Sequence, residues 1–213
     1  MDDKKIKIGV LVSGNGSNFQ AIVDALESGY IKNADIVCLV SNKAEAFALE
    51  RAKKHNVAAI VLDHKSYPDR KLYDAALVEI LKNQGVQLVV LAGFMRLLSP
   101  VMIDAFPNSI INIHPALLPA FPGLDAQKQA FEYGVRYTGC TVHFVDSGTD
   151  TGPIILQTVV PLLGTDTLET LTDRIHGEEH RTYVEAIRLF CEGRLHLEGR
   201  RVFINEQNTT IYA

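Results

Sequence analysis

The chain has 213 residues, 47% hydrophobic and 22% charged, with a formal net charge of -4 at pH 7, a balance that suits one buried core and excludes a basic tract for a nucleic-acid backbone. Cys38, Cys140 and Cys191 lie far apart with no CxxC, which argues against a disulfide framework or a structural zinc site. The apolar run after the charged N-terminus is too short for a signal peptide or a membrane span, so one domain over residues 1–213, in the cytoplasm, is expected.

Short β-rich runs alternate with amphipathic stretches, the pattern of an α/β fold with a largely parallel sheet. "IKIGVLV" (6–12) is strand one. The turn "SGNGSN" (13–18) then leads into a helix from about Asn18 to Ser28. Such a turn can aim backbone N–H groups, the Ser17 hydroxyl and the Asn18 amide at an anion; it can equally be a tight turn with Ser17 or Asn18 as N-cap. Phe19 occupies the third small position of a dinucleotide fingerprint and no P-loop lysine follows, so a small phosphate ester fits better than NAD or ATP.

Strand two is "ADIVCLVS" (34–41), followed by a helix near 44–55 and strand three at 58–62. A helix over 66–85 has proline near its start and glycine at its end. Strand four (86–93) runs into "FMRLL". That segment is either core packing with Arg96 reaching solvent, or an apolar slot for a flat heterocycle with Arg96 near a ligand carboxylate.

Strand five, "NSIINIH", carries two polar side chains at its end. Residues two apart share a face, so Asn112 and His114 project side by side, at the carboxyl end of a parallel strand where open α/β sheets bind ligands. An Asn amide can hold a developing oxyanion and a His can supply a proton near neutral pH. No Gly-x-Ser-x-Gly elbow or marked nucleophilic cysteine accompanies them, which points to direct transfer between two bound substrates. The runs 137–145 and 152–162 are joined too tightly for a crossover helix and are expected to pair antiparallel. Their loop offers Asp146 and Asp150, either of which could orient His114 and favour its protonated form.

A long helix over about 166–191 has an apolar stripe of Leu168, Leu171, Ile175, Tyr183, Ile187 and Phe190. The four-residue step from Ile175 lands on Glu179. Either a neighbour such as Arg174 neutralises that carboxylate or the helix lines a polar cleft there. The tail 195–205 reads as a hairpin around Glu198 and Gly199.

Together "SGNGSN" (13–18), "LAGFMRLLSP" (91–100), "NIHPALLPAFPG" (112–123), "GCTVHFVDSGTDTGPII" (139–155) and "EEH" (178–180), in this order and over most of the chain, resemble the folate-dependent phosphoribosylglycinamide formyltransferases of purine synthesis. The resemblance implies a Rossmann-like fold, its mostly parallel central sheet extended by antiparallel strands in the C-terminal part. It also implies transfer of a formyl group from 10-formyltetrahydrofolate to the amine of glycinamide ribonucleotide, with no metal. Matched residue by residue, Gly16, Ser17 and Asn18 would hold the substrate phosphate and Glu179 the ribose. Asn112, His114 and Asp150 would be the catalytic group, with His143 an accessory beside them. Arg70, Met95, Arg96, Leu97, Leu98 and Asp146 would bind folate. At Asp125 and Ala126, where some members carry histidines, no role transfers. A monomer or homodimer is expected, with no nucleic-acid or membrane partner.

Two related chemistries bring extra domains: formyltetrahydrofolate deformylase usually an N-terminal regulatory one, methionyl-tRNA formyltransferase a C-terminal one with basic surface. Strand one near residue 6 and a chain that ends soon after its long helix lead us to expect neither. A noncatalytic phosphometabolite-binding module would keep the turn and cleft and lose the catalytic set; the joint presence of Asn112, His114 and Asp150 favours an enzyme.

Overall fold

In the computed structural model, which describes residues 5–205, the alternating pattern becomes a seven-stranded sheet. Strands β1 (Ile6–Val12), β2 (Ala34–Ser41), β3 (Ala59–Val61), β4 (Leu88–Leu91) and β5 (Ile110–His114) are parallel, in the spatial order β3-β2-β1-β4-β5. β6 (Tyr137–Phe144) and β7 (Ile154–Pro161) extend it antiparallel beyond β5. The helices are α1 (Ser17–Glu27), α2 (Ala48–Lys54), α3 (Arg70–Asn83), α4 (Pro100–Ala105), α5 (Ala126–Tyr133) and α6 (Leu168–Cys191), and β8 (Leu195–Glu198) and β9 (Arg201–Ile204) form a separate hairpin. This is the Rossmann-like arrangement, with strand order reversing between β1 and β4. Among the described residues no helix is long and apolar enough to cross a membrane.

The sheet's two faces bury different cores. On one, Ile111, Ile113, Val142 and Phe144 pack with residues of α1 and α6. On the other, Leu11, Val40, Val89, Leu91 and Ile110 pack with Tyr73 and Leu77 of α3 and Met102 of α4. That second apolar layer stops at Ile110, and the next two side chains on the same face of β5 are Asn112 and His114. The polar end of the strand therefore begins where the helices cease to cover the sheet.

Several boundaries differ from expectation for identifiable reasons. Gly16, at φ 77°, is the N-cap of α1 with no side-chain cap bond, so neither Ser17 nor Asn18 has the capping role. α3 starts at Arg70 because the Asp69 carboxylate accepts from Leu72 N–H at 2.9 Å; residues 64–66 instead form a 3-10 turn. Helices α4 and α5 were not expected; at 6 and 8 residues they are too short to show a periodic apolar stripe.

Helix α6 is locked to the strands that build the site. The buried Tyr183 hydroxyl lies 3.0 Å from both Leu91 O, at the end of β4, and Ile111 O, near the start of the adjacent strand β5. Tyr183→Phe leaves these carbonyls without that donor and is expected to destabilise the protein by about 1–3 kcal/mol, measured as a lower urea midpoint at unchanged m. An unchanged midpoint would mean that the hydroxyl contributes nothing to the docking of α6.

Candidate functional site

Antiparallel pairing sets His143 opposite Asn112 and Thr141 opposite His114, which puts all four side chains on the face of the sheet that α3 and α4 leave free. The Asn112 amide lies 3.3 Å from His143 Nε2. The loop 145–153 folds back over this face and places one Asp150 oxygen 3.4 Å from His114 Nδ1 and the other 3.7 Å from His143 Nε2. Asp150 takes φ 54° to do so, a left-handed conformation that Asp tolerates better than most residues. The alternative carboxylate, Asp146, turns away: it accepts from Gly148 N–H and the Thr151 hydroxyl, at 3.0 and 2.6 Å, and shapes the loop.

Backbone carbonyls fix the two imidazoles differently. His143 Nδ1 is 2.8 Å from Phe144 O, which can only accept, so Nδ1 carries a proton. Burial holds this imidazole below its usual pKa, so at neutral pH Nε2 is a lone pair and the Asn112 NH2 group donates to it. That orients the Asn112 amide with its donor side toward the histidines. His114 Nε2 lies 2.8 Å from Phe121 O and is likewise a donor. Its Nδ1 faces the Asp150 carboxylate, which also accepts from Gly123 N–H at 2.8 Å. The Phe121 carbonyl was not anticipated, since a backbone group leaves no mark in a sequence. Nor was Thr141, whose hydroxyl donates to Ala116 O and accepts from Leu118 N–H, pinning the loop that carries Phe121.

Glu179 is 5% exposed and is not neutralised by Arg174, which pairs with Asp166 at 2.6 and 2.9 Å. It sits against α1 instead, hydrogen-bonded by the Asn18 side chain, and burial pushes it up to about 7. His176 Nε2 lies 4.0 Å from the Glu179 carboxylate. The buried Asn18 Oδ1 has no hydrogen-bond partner, so the turn 13–18 and α6 meet at buried polar side chains with hydrogen-bonding capacity unused.

Along the third side lies the segment after β4. Met95 and Leu97 are 68% and 56% exposed, Leu98 is partly buried, and only Phe94 enters the core. Arg96 is half-buried, its guanidinium 4.8 Å from the centroid of the Tyr73 ring, and its Nε is buried without a partner. Exposed apolar side chains around an unsatisfied donor favour a ligand slot over core packing. The Ser13 hydroxyl joins this segment to the turn: it accepts from Met95 N–H at 2.9 Å and donates to Asn42 at 2.6 Å. Arg70 stands apart, exposed at the first position of α3. Asp125 is the left-handed N-cap of α5, and Ala126 is buried. Among the described residues no three His, Cys, Asp or Glu side chains group so as to hold a metal ion.

Comparison with known proteins places this geometry in context. Residues 6–187 match the model of the formyl transferase family. The chain is 45% identical to the phosphoribosylglycinamide formyltransferase of Bacillus subtilis (strain 168), over 85% of this chain and 93% of that protein. Its fold superposes on the crystal structure of glycinamide ribonucleotide transformylase 1 from Symbiobacterium toebii with a TM-score of 0.93 and 55% identity, covering 97% and 96% of the two chains. It is also 48% identical to the trifunctional purine biosynthetic protein adenosine-3 of Drosophila pseudoobscura pseudoobscura, over 89% of this chain and only 14% of that longer protein.

The Glu179 carboxyl should be visible in the stability of the ligand-free protein. Its folded pKa, about 7, lies above the ordinary 4.5, so the stability it adds is fully present below about pH 4.5 and is lost as pH rises through about 7. Glu179→Gln removes that slope. Urea unfolding from pH 5 to 8 should find the variant gaining on the parent as pH rises, by on the order of 3 kcal/mol at the alkaline end. Parallel pH profiles for the two proteins would refute a buried, proton-holding Glu179.

Proposed function

From the chain's membership of the formyl transferases, and among them of the phosphoribosylglycinamide formyltransferases, we propose that it transfers a formyl group from 10-formyltetrahydrofolate to the amine of glycinamide ribonucleotide, in purine synthesis. The observation that carries the reading at the level of chemistry is the convergence of Asn112, His114 and Asp150, with His143, on the uncovered face of β5.

The ribonucleotide's phosphate lies against Gly16, Ser17 and Asn18, and its ribose hydroxyls meet Glu179. The partnerless Asn18 Oδ1 beside that carboxyl supports a hydroxylated ligand there. The folate ring fits the slot of Met95, Arg96, Leu97 and Leu98: Arg96 Nε is an orphaned buried donor of the kind a heterocycle edge satisfies. Asp146 shapes the loop that borders it, and Arg70, at the entrance to α3, meets the charged tail. 10-Formyltetrahydrofolate supplies the formyl carbon and leaves as tetrahydrofolate.

The chain's own residues do three things. Asn112, oriented by neutral His143, presents an N–H to the formyl oxygen as it gains negative charge. His114, held between Phe121 O and Asp150, lies beside the same developing charge, and the proton that the attacking amine loses is passed by way of His114 or Asp150 to the folate nitrogen, so that tetrahydrofolate leaves. Asp150 keeps a negative charge next to His114 in a site closed off by the loops 115–125 and 145–153, where water screens it little.

An absorbance assay of folate turnover with and without glycinamide ribonucleotide tests the reading. Turnover should require the amine; amine-independent turnover would make the protein a deformylase, and tight ribonucleotide binding without turnover a binding module. Asp150→Asn keeps the shape and a residue suited to φ 54° while removing the charge. It should slow turnover on the order of 100-fold and leave ribonucleotide affinity, measured calorimetrically, unchanged. Parent-like turnover would remove Asp150 from the mechanism.

A further inference from the structure

The turn 14–16 is held from behind by α2. Gly14 O accepts from Ala48 N–H at 3.1 Å. Asn15 O accepts from Arg51 Nε at 3.0 Å, and a second Arg51 nitrogen donates to Asn15 Oδ1 at 3.1 Å. The third nitrogen donates to Gln20 Oε1 on α1, also at 3.1 Å. The guanidinium lies 5.0 Å from the centroid of the Phe47 ring. All three nitrogens of one side chain are thus committed to the turn and to the helix that follows it. The packing is close: a Cβ on Gly16 would come within 2.6 Å of Ala48 Cβ.

These contacts decide where the turn's donors point. In a planar trans peptide the C=O and the following N–H are directed oppositely. Drawing the carbonyls of Gly14 and Asn15 toward α2 therefore turns the N–H groups of Asn15 and Gly16 away from it. Ser17 and Asn18 add the free N–H groups of a helix's first turn. Among the described residues none of these four N–H groups has a backbone acceptor, and α1 has no side-chain cap. Four adjacent donors facing one way form an anion-binding concavity.

We propose that Arg51 is a positioning residue for the substrate's phosphate: it never touches the phosphate, and it sets affinity for it by anchoring the Asn15 carbonyl so that the Asn15 and Gly16 amides face the ligand. The inference rests on the assignment of this turn to the phosphate group, and the two can fail separately. Nothing in the sequence marks Arg51, which stands on a short helix beside two other basic residues, Lys53 and Lys54.

The test compares glycinamide ribonucleotide with glycinamide riboside, the same molecule without its phosphate, in the parent, Arg51→Met and Arg51→Lys. In Arg51→Met the KM for the ribonucleotide should rise about tenfold, from misaligned amides, with kcat at saturation and the KM for the folate within about twofold. Use of the riboside should not change. Arg51→Lys keeps the charge and loses the fork that holds Asn15 at two atoms, so it should recover less than half of the affinity. An unchanged ribonucleotide KM in Arg51→Met, an equal loss with the riboside, or full recovery in Arg51→Lys would each overturn the positioning role. A parent that uses riboside and ribonucleotide equally well would instead overturn the phosphate site itself. Thermal melting checks each variant, and Arg51→Ala replaces Arg51→Met should the latter melt early.

Discussion

One five-residue strand has to satisfy two environments at once. Along β5, Ile111 and Ile113 enter the core under α1 and α6, while Asn112 and His114 face the other way into a polar space. Alternation permits this only in a single register. A slip by one residue would bury an amide and an imidazole among aliphatic side chains and present two isoleucines to the substrate. The surrounding fold enforces the register from both edges: Leu91 of β4 pairs with Asn112 on one side, and His143 of β6 pairs with it on the other. The reversal of strand direction between β5 and β6 matters here, because it sends the chain back along the same face. The residues from 141 to 150 can then supply a second histidine and a carboxylate without a further crossover.

Within that frame, backbone carbonyls assign chemical roles to otherwise identical side chains. His114 and His143 are both buried and both within 4 Å of Asp150. Phe144 O takes the Nδ1 proton of His143, leaving an acceptor toward Asn112. Phe121 O takes the Nε2 proton of His114, leaving Nδ1 toward the carboxylate. Opposite ring nitrogens are engaged, and opposite functions result. The same device recurs at the turn 14–16, where carbonyls captured by α2 release amides on the far side.

Much of this is legible in the order of residues. Long elements announce themselves by periodicity, and the Asn112–His114 pair and Glu179 stand out as polar residues at positions where the pattern asks for apolar ones. What escapes is of three kinds. Helices α4 and α5 are shorter than the window over which a 3.6-residue period can be seen. Ion-pair choice is three-dimensional: Arg174 is close to Glu179 along the same helix, five residues before it, yet Asp166 offers two oxygens in good geometry and takes it. The N-cap of α1 passes to Gly16 because the close approach of Ala48 and the left-handed φ admit no side chain, which overrides the usual preference for Ser or Asn.

Asp150 also carries a conformational filter that acts before any chemistry. At φ 54° its backbone sits where β-branched and bulky residues are strained and where Gly, Asn and Asp are at home. Phe121 and Asp125, in the facing loop, sit in the same region. Natural variation or a random library at position 150 is therefore narrowed first by the fold of the loop and only then by the need for a carboxylate. Of the three residue types that the backbone welcomes, only aspartate brings a charge. Glutamate, the usual conservative replacement, keeps the charge and loses the backbone preference, so the ordinary scale of chemical similarity is a poor guide to what this position accepts.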